Sequence, residues 1–447
     1  MFSSPWIYFT DSILRAPTIG CMLMCLSAAL VGVIAFLRKQ SLLGESLSHA
    51  SFPGVIIGVF ISGGLSLGNE SWMWLPIITV AGAFFSALLG LWLIHFLVRK
   101  TKIHSDAALC FILSTFFGIG LTLASRVQFV YPALYKQSLG YLYGQAATMT
   151  DVHILIYGIL SLMIIAMVIL FYKELQVLTF DSDFARSIGV RVNIIDTIVF
   201  ILITLAIVVG IRSVGVVLMS AMLIAPPVAA RQYTHRLWVM LALAAVFGVI
   251  SGFFGNYFSV ELTNYLATLY PTARLAFPTG PMIVMVATII CIFSLLFAPE
   301  RGLFVRLARV AYFRYQCLCE NILKAMWRSG PENGHTIAQL KRFQTASSLY
   351  LRFILMRLAH NGWVERTSED FYRLTADGIH RAAHIVRLHR LWEVYLADYL
   401  GVGAERVHRS AEEMEHIITP EIEQELTRLL KDPKTDPHHQ PIPPAEG

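Results

Sequence analysis

Charge is scarce in this chain: only 14% of its 447 residues are Asp, Glu, Lys or Arg, while 56% are hydrophobic. That balance excludes an ordinary soluble globular protein and fits a chain with several membrane spans. Cysteine is also scarce. The six, Cys21, Cys25, Cys110, Cys291, Cys317 and Cys319, form no CxxC pair and four sit in apolar segments, which excludes a disulfide framework. No GxxxxGK[ST] phosphate loop occurs, so no nucleotide site is expected and any energy from ATP must come through another polypeptide. The start lacks a basic n-region and a small-residue cleavage site, which argues against a removable signal peptide.

What charge there is lies unevenly. Apolar runs dominate from about Pro17 to Pro299; beyond Glu300 they vanish, and nine of the 14 histidines fall in this last third. Lipid is the expected solvent of the first part and water of the second. The net charge of +6 does not itself argue for nucleic acid, because cytoplasmic loops of membrane proteins are commonly basic. The expected fold class is mainly α: a polytopic helical membrane domain over 1–299 with about nine spans, a linker over 300–315, a winged helix-turn-helix over 316–376, and a helical metal-binding and dimerisation domain over 377–447. The second, sixth and seventh spans are weakened by Gly, Pro or polar residues. Arg38 with Lys39, Arg99 with Lys100 and Lys102, Lys173 with Arg186 and Arg191, Arg231 with Arg236, and Arg301 with Arg306 follow the odd-numbered spans, whereas Lys136 and Arg274 are scattered cations of the opposite loops. The positive-inside rule then puts the amino terminus outside and the polar third in the cytoplasm.

Two stretches of the membrane part are unlike lipid-facing helix. "LLGESLSHASFPGV" sets Glu45 and His49 four residues apart, on one helical face. An ionisable pair at membrane depth is expensive and usually faces a polar pathway; the alternative is a solvated pair in a cytoplasmic loop before a shorter span. "TFDSDFARSIGVRVN" reads as a cytoplasmic amphipathic insert with Phe180, Phe184, Ala185 and Ile188 on one face, either an interfacial helix or a helix that docks into a partner's groove.

Taken in order, "SLLGESLSHASFPG", "KIHSDAALCFILSTFFGIGLTLAS", "FDSDFARSIGV" and "VGVVLMSAMLIAPPVAARQ" resemble the permease subunit of ATP-binding-cassette importers for manganese, zinc or iron, over about residues 15–298. The resemblance implies an ABC ATPase subunit as partner, an extracytoplasmic metal-binding protein that delivers the ion, and a second permease copy or a paralogue. It implies a coupling helix over Phe180–Val190, with Phe180, Asp181, Phe184, Ala185, Arg186 and Gly189 at the ATPase, and Glu45 and His49 on the metal route. Asp is more frequent in that family where this chain has Glu45. The implied location is the bacterial inner membrane.

After Glu300 the pattern changes to short amphipathic helices. "YFRYQCLCENILKAMWRSG" reads as a first helix, "HTIAQLKRF" as a second and "TASSLYLRFILMRLAHNGWVE" as a third, with Leu349, Phe353, Met356 and Leu358 buried and Ser347 or Ser348 as cap. "WVERTSEDFYRLTADG" alternates like a hairpin. This order is that of a winged helix-turn-helix. Ser347, Ser348, Tyr350, Arg352, Arg357 and Arg366 form the candidate DNA-facing set, beside Lys341, Arg342 and Arg373; such modules also dock proteins. The face Ile385, Leu388, Leu391, Trp392, Tyr395, Leu396 and Tyr399 is longer than one small domain needs and suggests a homodimer. His389 and Glu393 lie at i, i+4, and His408, Glu412, Glu415 and His416 make a second stripe on what reads as a short helix. Nitrogen and carboxylate oxygen without thiolate suit Mn2+, Fe2+ or Zn2+.

"IVRLHRLWEVYLADYLGV", "VHRSAEEMEHIITPEI" and "KDPKTDPHHQPIP" resemble the metal-dependent repressors of the diphtheria-toxin-repressor and manganese-repressor family, over about 316–443. By position this implies that Glu412, Glu415 and His416 form a primary metal site, and His389, Glu393 and His408 an ancillary one. The first-helix ligand position holds Asn321, and Lys324 stands where the manganese branch has a Glu. The joined arrangement resembles permease-repressor fusions of chlamydial metal-import systems. It implies a metal permease carrying a metal-dependent repressor of import genes, with a DNA operator as partner. Because a tethered repressor reaches DNA poorly from a membrane, cleavage between about Ala298 and Arg314 is a further expectation. The alternative is a transporter whose tail is a metal-responsive gate that never touches DNA. No nucleophile-base constellation suggests an enzyme.

Overall fold

The computed structural model describes the chain except for residues 1–3, 65–70, 102, 133–134, 136–139, 143, 145, 271–275, 344–345, 369–370, 404–410, 413 and 445–447. Lys136, Arg274 and His408 therefore lie outside the described residues, as does the Phe180 side chain. The chain divides into two compact units, Met1–Arg306 and Leu307–Gly447.

The first unit is helical: α1 Ile7–Thr10, α2 Ser12–Leu37, α3 Ser41–Gly64, α4 Ser71–Thr101, α5 Ser105–Val130, α6 Asp151–Leu170, α7 Tyr172–Phe180, α8 Ser182–Ser187, α9 Val192–Val214, α10 Val216–Arg231, α11 Leu237–Leu269 and α12 Thr279–Phe297. Asp11 starts α2 by accepting from the amides of Ile13 and Leu14 at 2.7 and 3.3 Å, the ordinary use of a short carboxylate at an N-cap. Nine of these helices lie where spans are expected, but only seven of the described helices are long and apolar enough to cross a membrane. Of the nine, α3 and α10 are the two that miss this measure of length and composition. α3 carries Glu45, His49 and several serines over 24 residues, and α10 is 16 residues long and contains Pro226 and Pro227.

Serine is tolerated in α3 because its hydroxyls are satisfied nearby. Ser48 donates to the carbonyl of Gly44 at 2.8 Å, Ser62 to that of Gly58 at 2.9 Å, and Ser46 reaches across to Leu109 of α5 at 3.0 Å. The crossing of α3 and α4 needs glycine on both sides. A Cβ at Gly54 would lie 2.0 Å from the Gly82 carbonyl oxygen, and one at Gly82 would lie 2.4 Å from that of Gly54. Small residues that let backbones touch are the usual adhesive between helices in lipid.

The second unit contains α13 Leu303–Arg328, which begins in the first unit, then β1 His335–Thr336, α14 Ile337–Phe343, α15 Ser348–His360, β2 Val364–Ser368, β3 Phe371–Leu374, α16 Ala376–Asp398 and α17 Pro420–Leu429. The antiparallel sheet has the order β1-β3-β2, with Val364 opposite Leu374 and His335 opposite Tyr372. β1 occupies the start of the stretch read as a second helix. Thr336 and Gln339 mark the true helix start: the Gln339 side-chain oxygen accepts from the Thr336 amide at 2.9 Å, and the Thr336 hydroxyl accepts from the Gln339 amide at 3.3 Å, a capping box.

Two burial expectations are corrected. In α15 only Leu358 of the expected set is buried; Leu349 is 81% exposed and Met356 67%, while Leu351, Ile354 and Leu355 face the core. The helix has two apolar stripes, and the core takes the one with four closely phased aliphatics. In α16, Ile385, Leu388, Leu391 and Leu396 are buried within the chain itself and Tyr399 is exposed, so most of that face is consumed internally. Part of it meets Ile442 of the returning tail, which is packed with Leu391 and Val394.

Gly54→Leu is expected to destabilise the membrane unit by more than the ~1–3 kcal/mol typical of overpacking, because backbone oxygen, which cannot rotate away, meets the new Cβ. Gly118→Ala, where a Cβ meets nothing within 4 Å, is expected to be neutral or to stabilise by up to ~1 kcal/mol. Thermal unfolding of the two variants in one detergent checks both.

Candidate functional site

The first candidate site lies on α3. His49 is 7% exposed, stands edge-on to Phe117 with ring centroids 4.6 Å apart, and its Nδ1 has no hydrogen-bond partner among the described residues. Glu45, one turn earlier, is half-buried. A buried polar atom without a partner costs about 1–3 kcal/mol, so the imidazole nitrogen is held here at a cost to the fold. The insert over 180–190 is a six-residue helix, α8, whose N-cap Asp181 accepts from the amides of Asp183 and Phe184 at 2.9 and 3.0 Å. Phe184 and Ile188 are 56% and 54% exposed, but Ala185 is fully buried. The expected single face is therefore split, with Ala185 anchoring the insert and the two larger groups pointing away. Arg186 is exposed and pairs with Asp183 at 3.1 Å; Gly189 closes the insert at φ 86°, a conformation glycine adopts without strain.

The second candidate site joins three segments of the second unit. α13 supplies Glu320 and Lys324, α16 supplies His389 and Glu393, and the turn over 411–417, held by the Glu415 amide on the Ala411 carbonyl at 3.0 Å, supplies Glu412, Glu415 and His416. Carboxylate and imidazole alternate along it. Glu320 meets His416 Nδ1 at 2.6 Å, His416 Nε2 lies 3.6 Å from Glu415, Glu415 meets His389 Nδ1 at 2.5 Å, and His389 Nε2 lies 3.2 Å from Glu393. Lys324 Nζ is 2.6 Å from Glu415 Oε1 and 3.9 Å from Glu412. Burial opposes the charged form of His389, but Glu393 and Glu415 outweigh it and hold the imidazole pKa above its usual value. Burial likewise opposes the Glu415 carboxylate, and His389 and Lys324 outweigh it, holding that pKa below the usual range.

These donors are of the right kind for a borderline divalent ion, but their arrangement does not fit one. Among the described residues no three His, Cys, Asp or Glu side chains stand where they could hold an ion together; each is turned toward another member of the chain or toward Lys324. From α13 it is Glu320, rather than Asn321, that reaches His416. Glu320 is one residue from the expected position, and its i, i+4 spacing to Lys324 was the available signal. The six DNA-facing candidates Ser347, Ser348, Tyr350, Arg352, Arg357 and Arg366 are all exposed, and Ser347 caps α15 by accepting from the Tyr350 amide at 3.3 Å.

Fold and sites together describe a membrane permease carrying a regulator-type domain. Residues 10–298 match the ABC 3 transport family and residues 375–444 match the iron dependent repressor, metal binding and dimerisation domain. The chain belongs to the ABC 3 transport family. It is 37% identical to a "Probable metal transport system membrane protein" of Chlamydia trachomatis, over 97% of this chain and 97% of that protein. It is 38% identical to a zinc transport system membrane protein of Treponema pallidum, over 67% of this chain and 94% of that one. Among solved structures, PsaBC from Streptococcus pneumoniae in complex with Fab matches with a TM-score of 0.55 at 25% identity, covering 69% of this chain and 98% of that chain. The Treponema and Streptococcus proteins span the first unit; the Chlamydia protein spans both.

The sign of each pKa shift fixes a pH dependence. The His389 contribution to stability is complete below its unfolded value of 6.5 and is lost as pH rises through its raised folded value. The Glu415 contribution is complete above its unfolded value of 4.5 and is lost as pH falls through its lowered folded value. In chelator, the urea midpoint of the second unit is expected to be highest between about pH 4.5 and 6.5 and to fall on both sides, read from 19F resonances of fluorinated Trp327 and Trp392.

Proposed function

We propose that this chain is the membrane subunit of an ATP-driven importer of a divalent metal ion, Fe2+, Mn2+ or Zn2+, and that its second unit is a metal-responsive regulator of import genes. The orphaned Nδ1 of His49 beside Glu45, in the mostly buried first half of α3, carries the transport reading; membership of a family whose relatives are named for metal transport supports the substrate class. An ion leaving water needs replacement ligands along its route, and an imidazole and a carboxylate one turn apart supply nitrogen and oxygen without binding too tightly to release. The exposed Phe184 and Ile188 suit insertion into a groove of a separate ABC ATPase, with Ala185 fixing the insert to the permease. An extracytoplasmic metal-binding protein delivers the ion, and a second permease copy or paralogue completes the pathway. The basic residues after the first, third, fifth, seventh and ninth expected spans support an inner-membrane location with the second unit in the cytoplasm.

The winged-helix order, the exposed Arg352, Arg357 and Arg366, and the match over 375–444 support DNA as the regulator's partner, bound by a homodimer of the second unit at an operator. Proteolysis between about Ala298 and Arg314 would free it from the membrane.

Uptake of 54Mn, 65Zn and 55Fe by proteoliposomes containing this chain and its ATPase tests the transport reading. His49→Ala is expected to reduce uptake at least tenfold with ATPase assembly intact; Phe184→Asp is expected to abolish both uptake and transport-coupled ATP hydrolysis. Uptake unchanged in His49→Ala would remove α3 from the route. A DNA-shift assay against the chain's own promoter, with each ion and with chelator, tests the regulator: Arg352→Ala is expected to weaken metal-dependent binding. No binding under any condition, with transport that slows as internal metal rises, would favour an attached gate.

A further inference from the structure

α13 has two parts of different character. Toward its carboxyl end Ile322, Leu323 and Met326 are buried in the core of the second unit, whereas residues 303–314 are exposed apart from the half-buried Val305. That exposed part is not polar. Leu303, Phe304, Leu307 and Val310 are each 43–53% exposed, and their spacing puts them on one side of the helix. Arg306 and Arg309 stand on the other side, together with Phe313. From Arg301 to Cys319 the sequence holds four arginines and no Asp or Glu. Three turns with an uncovered apolar stripe lack the packing that supplies most helical stability.

The stripe continues a surface that already suits lipid. Phe293 and Phe297 lie on the exposed side of α12, a helix long and apolar enough to cross a membrane, with ring centroids 4.7 Å apart. Phe304 follows Phe297 at 5.1 Å. Three aromatic rings thus lead from the end of the span onto the first turn of α13. Helices that lie in a membrane interface sink one apolar face into the headgroup-acyl boundary and carry Lys or Arg on the other. A second copy of the helix would also cover the stripe, but it would bring arginines against arginines. A bilayer with anionic headgroups supplies the missing negative charge.

We propose that residues 303–314 of α13 are an interfacial helix seated on an anionic phospholipid surface, with Leu303, Phe304, Leu307 and Val310 in the acyl boundary and the arginines at headgroup phosphates. Apolar burial and charge both hold it there, so its seating depends on lipid composition. Residues covered in this way are shielded from a protease in water, and a cut within them requires the helix to lift.

The test places the full chain in nanodiscs of phosphatidylcholine or of phosphatidylglycerol and follows hydrogen exchange over 303–314. Exchange is expected to be about tenfold slower in phosphatidylglycerol. This comparison needs no substitution and does not depend on the folding of a variant. Arg306→Gln/Arg309→Gln in phosphatidylglycerol is expected to exchange as the parent does in phosphatidylcholine, with exchange over 319–326 unchanged. Photocrosslinking with p-benzoylphenylalanine in place of Leu307, or separately of Arg309, reports what lies on each face. A phospholipid adduct is expected from position 307 and not from 309. Equal exchange in the two lipids, adducts from both positions or from neither, or a crosslink from 307 to a second copy overturns the proposal; the last result assigns the stripe to self-association.

Discussion

A charge taken out of water must be met by a partner, and in both units those meetings join segments that are distant in sequence. In the membrane unit Tyr8 donates to Glu261 at 2.8 Å across 253 residues, and Arg38 pairs with Asp196 at 2.8 Å. In the second unit Arg387, 1% exposed, spreads its guanidinium over Glu423 at 3.1 Å, Thr427 at 3.2 Å and the Pro443 carbonyl at 2.8 Å. Planar five-donor geometry allows one buried cation to fix α16, α17 and the carboxyl-terminal tail together. Hydrophobic burial makes each unit compact, but it is non-directional; these pairs select which compact arrangement is kept.

Within the membrane unit the same cost sorts helices into inner and outer. The apolar windows of α2 and α9 are 72% and 61% buried, against 28–39% for the other five spans. Outer helices present residues such as Phe129 and Ile169, 79% and 72% exposed, to lipid and must be apolar all round. Helices enclosed by protein escape that demand, since their polar groups can be satisfied by neighbours. α3 and α10 use this freedom for serines, a carboxylate, an imidazole and prolines. The segments that look least like spans are therefore the ones in which neighbouring helices can supply partners for polar side chains.

Much of this was legible because it rests on local pattern: nine apolar stretches, the i, i+4 pair Glu45 and His49, and the helix-helix-helix-hairpin order. The rest depends on information that pattern does not hold. α15 has apolar residues on two stripes, Leu349, Phe353 and Met356 on one and Leu351, Ile354, Leu355 and Leu358 on the other, so periodicity alone leaves the buried face undetermined. The α16 face looked surplus because the tail that covers part of it lies some fifty residues later. The pairing of Glu320 with His416 joins residues 96 apart in the sequence, a separation over which local pattern carries no information.

The buried cluster of the second unit shows how a domain that matches a metal-binding family can turn its donors toward one another. What a buried Glu415 requires is positive charge at short range; elementary electrostatics does not specify whether a metal ion, an imidazolium or an ammonium provides it. His389 and Lys324 both do so here, each from a different helix. An ion that binds such a site acts on a structure already assembled, and its effect must come from the difference between its contacts and those of the side chains it replaces, since only differential interaction shifts an equilibrium between states.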